Sequence, residues 1–416
     1  MSVKKKIGIG LGVLVAFAGA YILAIEIWVN KWEQPSKPLP ANHLVHEQSL
    51  IHDQTRAELA SAAQQAMREL ATDMQSVSMS GALSIGDELI WSGAIGLQNV
   101  DRAEPANVDT LYRIGSVSKA LTAVTLMRMV EMGLVDLDSP IQNYLPSYPT
   151  YDAPMTARQL ASHTAGVRHH KFDITRFPPT DGYSNVRYAD VNAALSQFQD
   201  DALLFMPGQG YSYSTHGYTL LSAVMEAAGG KPFHQLVHEL VLRPAGMQAT
   251  SAEFLDHQQQ DLAGFYTSDG GLFGYTPTVD LSNKLAGGGF VSTPTDLVRM
   301  GTALLTGDLL SEASFTEMVT EQKLADGGEH PDAYALGWRH HLTRNILGED
   351  NMVDVIHHGG VSTGSDSFLL LVPDYSISIA ITTNGHGDRS RGEIQMLAYQ
   401  IAAAVIHDSG ILITSN

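Results

Sequence analysis

The sequence predicts an α/β architecture of the α+β type. One antiparallel sheet is built from both ends of the chain and flanked by helices, with a helical lobe inserted between. Three observations point there. Strand signals cluster in two places, around 77–96 and around 333–383. The stretch between about 135 and 250 reads instead as short helices and loops. Hydrophobic residues make up 44% and charged residues 17% of the 416, a globular composition with ample material for a core.

From the N-terminus, Lys4, Lys5 and Lys6 form a short basic stub over 1–6. An apolar run follows from Ile7 to Val29, broken only by Glu26, with Trp28 and Trp32 at its far end. At about 1.5 Å per residue such a run spans the roughly 30 Å hydrocarbon layer. Lysines on the leading side keep that end in the cytoplasm. The expectation is a signal anchor over 7–29 in a bacterial inner membrane, with the rest in the periplasm. A cleaved signal peptide ending near Ala18-Gly19-Ala20 is the alternative, opposed by the apolar Tyr21-Ile22-Leu23-Ala24-Ile25 that follows. Residues 30–50 read as a linker, because Pro35, Pro38 and Pro40 stiffen a polar stretch. The remaining 51–410 reads as one catalytic unit.

Within it, Asp53 to Thr72 is rich in Ala, Gln, Glu and Leu, without Gly or Pro, and predicts a helix. Val77–Ile85 and Glu88–Gly96 predict a hairpin turning at Gly86-Asp87. Lys119 to Met132 is helical, with Gly133 as its stop. A second helix runs from Gly217 to about Ala228, before Gly229-Gly230. Gly-rich loops are expected at Gly264–Gly274 and Gly287–Gly289. Strands are expected at Ala333–His340, Asp354–His357, Ser367–Val372 and Ile377–Thr383, and a terminal helix at about Arg391–Ile406.

Charge and composition exclude several functions. A net charge of −19 and a pI near 5.2 repel phosphate backbones, so no nucleic-acid partner is expected. No cysteine is present, which removes disulfides, thiolate catalysis and cysteine-bound zinc. Gly287–Gly289 lacks a following Gly-Lys-Ser/Thr and is no phosphate loop, and no cofactor is expected.

The chemistry centres on Ser116-Val117-Ser118-Lys119. Positions i and i+3 share a helix face, so the Lys119 ammonium lies beside the Ser116 hydroxyl. A serine at a helix N-terminus is surrounded by free backbone N–H groups that favour a developing oxyanion. A lysine near its reference pKa of about 10.4 is protonated, so desolvation or a second cation must lower it before it acts as a base. Taken alone, the four residues equally suit a serine N-cap with a solvated lysine.

The wider context decides. Arg113-Ile114-Gly115-Ser116-Val117-Ser118-Lys119 resembles the nucleophile motif of the class C β-lactamase and penicillin-binding-protein-like serine hydrolases. Leu137-Asp138-Ser139-Pro140 through Tyr144-Leu145-Pro146 resembles the loop after that motif. Thr156 through His163-Thr164-Ala165-Gly166 is similar to the family's Leu-Leu-x-His-Thr-Ser-Gly element. Pro207-Gly208 and Tyr213-Ser214-Thr215-His216-Gly217-Tyr218 resemble its Tyr-Ser-Asn-x-Gly-Tyr region. Gly287-Gly288-Gly289 through Ser292-Thr293 and Asp296-Leu297 also match in order. His357-His358-Gly359-Gly360 stands where the family has Lys-Thr-Gly or His-x-Gly. The resemblance covers roughly 50–405. Tyr213-Ser214-Thr215 and the run 163–169 most resemble the mitochondrial β-lactamase-like serine proteins.

The resemblance implies a β-lactamase/transpeptidase-like fold and an acyl-enzyme on Ser116. It implies that Lys119 shares the serine's proton and that Tyr213 serves as base or relay, its phenol acidified by the Lys119 cation. Gly360 N–H would complete the oxyanion hole with that of Ser116, and Gly359, Thr215 and His357 would line the substrate. Two departures matter. Thr215 replaces an amide side chain and is too short to span both Lys119 and a substrate. His357 replaces a lysine that attracts carboxylates and is mostly neutral at pH 7. Both favour ester, amide or peptide substrates over β-lactams. No metal site is expected. His234 and His238-Glu239 match neither zincin pattern and suit a solvated helix face. In the strand-like pairs His340-His341 and His357-His358, neighbours point to opposite faces. His163 and His169-His170 read as structural histidines.

Overall fold

The computed structural model describes residues 34–172, 180–256, 259–349 and 351–408, together with Ala20, Tyr21 and Ala24. Apart from those three residues, the expected anchor at 7–29 lies outside the described residues. Among the described residues, no helix is long and apolar enough to cross a membrane.

Strand β1 (Glu47–Ile51) leads into helix α1 (Ala57–Met74). Its inward positions Leu59, Ala60, Ala63, Met67 and Ala71 recur at helical spacing, and Gln75 closes it in the left-handed conformation. The hairpin β2 (Ser78–Ile85) and β3 (Glu88–Asn99) turns where the sequence places it, with Gly86 at φ +62°. On one face of the sheet lie helices α2 (Val117–Glu131), α3 (Thr215–Gly229) and α4 (Pro294–Leu305). The chain then returns as β4 (Arg339–Thr343), β5 (Val353–Ser362), β6 (Ser365–Val372) and β7 (Ile377–Thr383), before α5 (Ser390–Asp408).

The main sheet is antiparallel in the order β4-β5-β6-β7-β2-β3-β1, with Glu104–Pro105 added on β3. β7 pairs with β2, Ile379 opposite Leu83, so the two chain ends are knitted into one sheet as the sequence predicts. Two apolar layers result. α1 and α5 cover one face through Met67, Trp91, Phe368 and Ile401. α2, α3 and α4 cover the other through Ile114, Leu121, Tyr218, Leu369 and Leu371.

Three expectations are corrected. The strand expected at Ala333–His340 begins only at Arg339. Two left-handed residues, Ala333 at φ +44° and Gly337 at φ +79°, break the extended run before it. The strand expected at Asp354–His357 runs on to Ser362, because Gly359 and Gly360 pair with Phe368 and Ser367. The stretch Gly264–Gly274 is more than a loop. It holds a hairpin, Tyr266–Asp269 with Leu272–Tyr275, that turns at Gly270 and Gly271, both at positive φ.

Candidate active site

Ser116 caps α2 and stays partly accessible at the floor of a cleft of about 750 Å³. The chain reaches it through Gly115, at φ +47°. An added Cβ there would fall 2.6–2.7 Å from the backbone of Val361 in β5, so only glycine lets the two segments meet. Arg113 braces this approach. It forms a two-pronged ion pair with Glu253 (2.6 and 2.8 Å) and donates to the Thr363 carbonyl.

Lys119, one turn into α2, is fully buried. Its Nζ lies 3.1 Å from Ser116 Oγ, 3.2 Å from Thr215 Oγ1 and 2.7 Å from the Gly287 carbonyl. Burial, aided by the Arg339 guanidinium, holds the ammonium well below its ordinary pKa. The hydroxyl of Thr215 therefore does meet Lys119, and its methyl rests against Gly287, where a Cβ would sit 2.6 Å from Thr215 Cγ2.

Tyr213 stands over the same point, with Lys119 Nζ 4.7 Å from its ring centroid. Its position follows from the N-cap of α3. Ser214 accepts from Gly217 N–H and donates to the Arg168 carbonyl, while His163 Nδ1 accepts from Ser214 N–H and His169 Nδ1 from Thr215 N–H. Two histidines read as structural thus fix the segment that carries Tyr213 and Thr215. The phenol corrects the expectation of an acidified tyrosine. Burial pushes it up to about 12, and the hydrogen bond with Ser116 and the charges of Arg339 and Arg391 offset only part of that.

β5 settles the histidine pair by its alternation. Ile356, His358 and Gly360 face α2, with Ile356 in the same apolar layer as Leu369 and Leu371. His358 Nε2 meets the Tyr334 hydroxyl at 2.8 Å, and the Tyr334 ring packs 4.7 Å from His163. Charge on Lys119 is felt by His358. His357 lies on the opposite face beside Phe368 and His341, its ring nitrogens without hydrogen-bond partners, and burial lowers its pKa to about 3. It lines the cleft but does not adjoin Lys119.

Gly360 is also displaced from its expected place. A Cβ on it would meet the Ile114 carbonyl at 2.0 Å, so it packs under the nucleophile loop. β5 and β6 join through the two-residue turn Thr363-Gly364, which makes Ser362 and Ser365 the closing pair. Bonded pairs alternate from there, so Gly360 directs its N–H at Ser367 while Val361 points its own away from β6.

Sequence reasoning missed two further cleft residues, Arg339 and Lys284. Arg339 is held by Asp332 at 2.6 Å over the Tyr334 ring. Lys284 donates to the Gly182 carbonyl, and burial lowers its pKa to about 8. Neither belongs to a motif; the sheet and the turn at 282–284 bring them in.

Comparison with known proteins identifies the family. A sequence model of the Beta-lactamase family matches residues 63–403. The human mitochondrial serine beta-lactamase-like protein LACTB is 29% identical over 288 residues, 54% of this chain and 52% of that protein. This chain thus spans about half the length of that relative. A D-stereospecific amidohydrolase from Streptomyces sp. has a similar structure, with 25% identity and a TM-score of 0.65 over 81% of this chain and 96% of that one. A D-amino acid amidase from Ochrobactrum anthropi shares the fold, with a TM-score of 0.70 at 22% identity, over 84% and 99%. With the matched region covering β2 to β7, α2 and the cleft, the chain belongs to the beta-lactamase family of serine hydrolases.

Proposed function

We propose that this protein hydrolyses ester, amide or peptide bonds through an acyl-enzyme on Ser116. The carrying observation is the contact between Ser116 Oγ and a buried Lys119 Nζ at 3.1 Å. A neutral amine has two N–H donors and one lone pair. Directed at Gly287 O and Thr215 Oγ1, the donors leave the lone pair for the Ser116 hydroxyl proton. Lys119 is then the base. Tyr213, protonated at rest, gives its proton to the leaving group and takes up in return the one that Lys119 removed from Ser116. The N–H groups of Ser116 and Val361 form the oxyanion hole, replacing Gly360 in that role. His358, rather than His357, is the histidine that supports the proton path. Water then releases the acyl group. His358, buried and bonded to the Tyr334 hydroxyl, offers no fixed ammonium to attract a β-lactam carboxylate, which favours other substrates.

A fluorophosphonate should add one mass increment to the purified protein, and Ser116→Ala should take none. Labelling of both alike, or of neither, refutes the assignment. p-Nitrophenyl acetate turnover lost in Lys119→Ala separates catalysis from a purely binding role for the fold. His358→Ala should slow turnover more than His357→Ala; the reverse order restores His357. Ester, D-Ala-D-Ala peptide and amide libraries then sort the substrate class. The amidohydrolase resemblance makes amides of D-amino acids worth including.

We also propose that residues 7–29 anchor the hydrolase unit, 51–410, to the inner membrane, on the strength of the lysines and apolar run alone. Release of the full chain from membranes by alkaline carbonate would refute this.

A further inference from the structure

We propose that His170, Asp181 and His216 form a binding site for a divalent transition-metal cation of the zinc type. The three come from separate segments, and one donor atom of each lies within 4.8 Å of the others. His216 Nε2 is 3.3 Å from Asp181 Oδ2, and His170 Nδ1 is 3.5 Å from Asp181 Oδ1.

Those distances discriminate between two arrangements. Charge-assisted hydrogen bonds between imidazolium and carboxylate close to about 2.7–2.9 Å. Ligands around a tetrahedral ion at about 2.0–2.2 Å are separated by roughly 3.3–3.5 Å. The two histidine–carboxylate distances, each to its own oxygen of Asp181, fall at the second spacing. A second observation is independent of it. His216 is fully buried and stacked on Phe198 at 4.4 Å, yet neither ring nitrogen reaches a hydrogen-bond partner of ordinary geometry, and neither does His170 Nδ1. Buried polar atoms without partners call for an explanation, and a bound cation supplies one.

The carboxylate is oriented as a ligand's should be. Arg168 Nη1 donates to Asp181 Oδ2 at 2.7 Å and Lys171 N–H donates to Oδ1 at 3.0 Å. Two cations, Arg168 and Lys284, stand near. Arg168 is also paired with Asp201 at 2.6 Å, and the Lys284 ammonium is pulled down towards neutrality by burial. His170 lines the cleft, so a fourth coordination position opens towards it. His216 follows Thr215 directly, and His170 follows His169, whose ring fixes Thr215 N–H. The ion therefore ties the 168–171 segment to the start of α3, beside the proposed base.

The test uses the full, untagged chain stripped with a chelator. Co²⁺ titration should give one saturable equivalent with the intense visible bands of tetrahedral coordination, and Zn²⁺ should displace it. His170→Ala and His216→Gln should each weaken binding at least as much as loss of an outer-shell partner does, about 10–100-fold, while His234→Ala, on another helix, should bind as the native protein does. His170 is partly exposed, so its variant keeps the test sound if His216→Gln folds poorly. Absence of saturable one-to-one binding, or native affinity in His170→Ala, overturns the site.

Discussion

Replacing Gly115 by alanine probes the contact on which the proposed oxyanion hole depends. The new Cβ would lie 2.6 Å from Val361 C and O, against 3.4 Å for ordinary contact, so the nucleophile loop and β5 must part by about 0.8 Å. Two costs add. An alanine held at φ +47° costs about 1–2 kcal/mol, and forced overpacking against rigid backbone costs about 1–3 kcal/mol more. Gly133→Ala provides the matched control, since Gly133 has φ +70° with nothing within 4 Å. It bears the conformational cost alone. Denaturant unfolding should therefore rank native, Gly133→Ala and Gly115→Ala in falling stability, the last about 2–5 kcal/mol below native. A displacement near 1 Å at a reacting centre costs about 100-fold in rate. Under conditions where all three proteins are folded, fluorophosphonate labelling of Gly115→Ala should slow by about that factor, while Gly133→Ala labels normally. Equal labelling rates would refute the claim that Gly115 sets the distance between Ser116 and Val361.

Other perturbations read the electrostatics. The Arg339 charge helps to lower the Lys119 pKa, so Arg339→Gln should move the midpoint of the rising acylation–pH profile to higher pH; a midpoint that stays fixed removes Arg339 from the account. Asp366 raises the folded-state pKa of His386 above 6.5. The stability this contributes is full below pH 6.5 and lost as pH rises through the folded value. His386→Asn should flatten that fall in a thermal-melt series, and a variant with the native slope excludes it. Glu253→Ala leaves the Arg113 guanidinium buried without its counter-ion and should cost about 3–5 kcal/mol in denaturant unfolding. The double variant Arg113→Met/Glu253→Leu should regain most of that loss; if it does not, the penalty lies elsewhere than in the stranded charge.

Much of this was legible in the sequence, and the exceptions have physical causes. The hairpin at Gly86-Asp87, the helix after Ser116 and the strand Ile377–Thr383 are specified by local pattern, and they stand where that pattern puts them. The pairing of Ser116 with Lys119 follows from their shared helix face once the wider motif marks them out. The environment of Tyr213 was not legible, because it depends on how deeply the side chain is buried and on Arg339, which arrives from another strand. Nor was the histidine–aspartate cluster, whose members share no motif spacing and meet only when α3 packs against the 168–171 segment. The histidine pair at 357–358 is different in kind. Two adjacent histidines followed by two glycines fit the family pattern in either of two registers, and in a strand a slip of one residue reverses every side chain and every N–H. The deciding signal was nevertheless present. Thr363-Gly364 is a two-residue turn, and counting back from its closing pair fixes which residues bond to β6. By that count Gly360 is engaged, Val361 is available, and His358 shares the face of Lys119. Motif letters identify the strand, but the turn three residues beyond them determines which letters reach the chemistry.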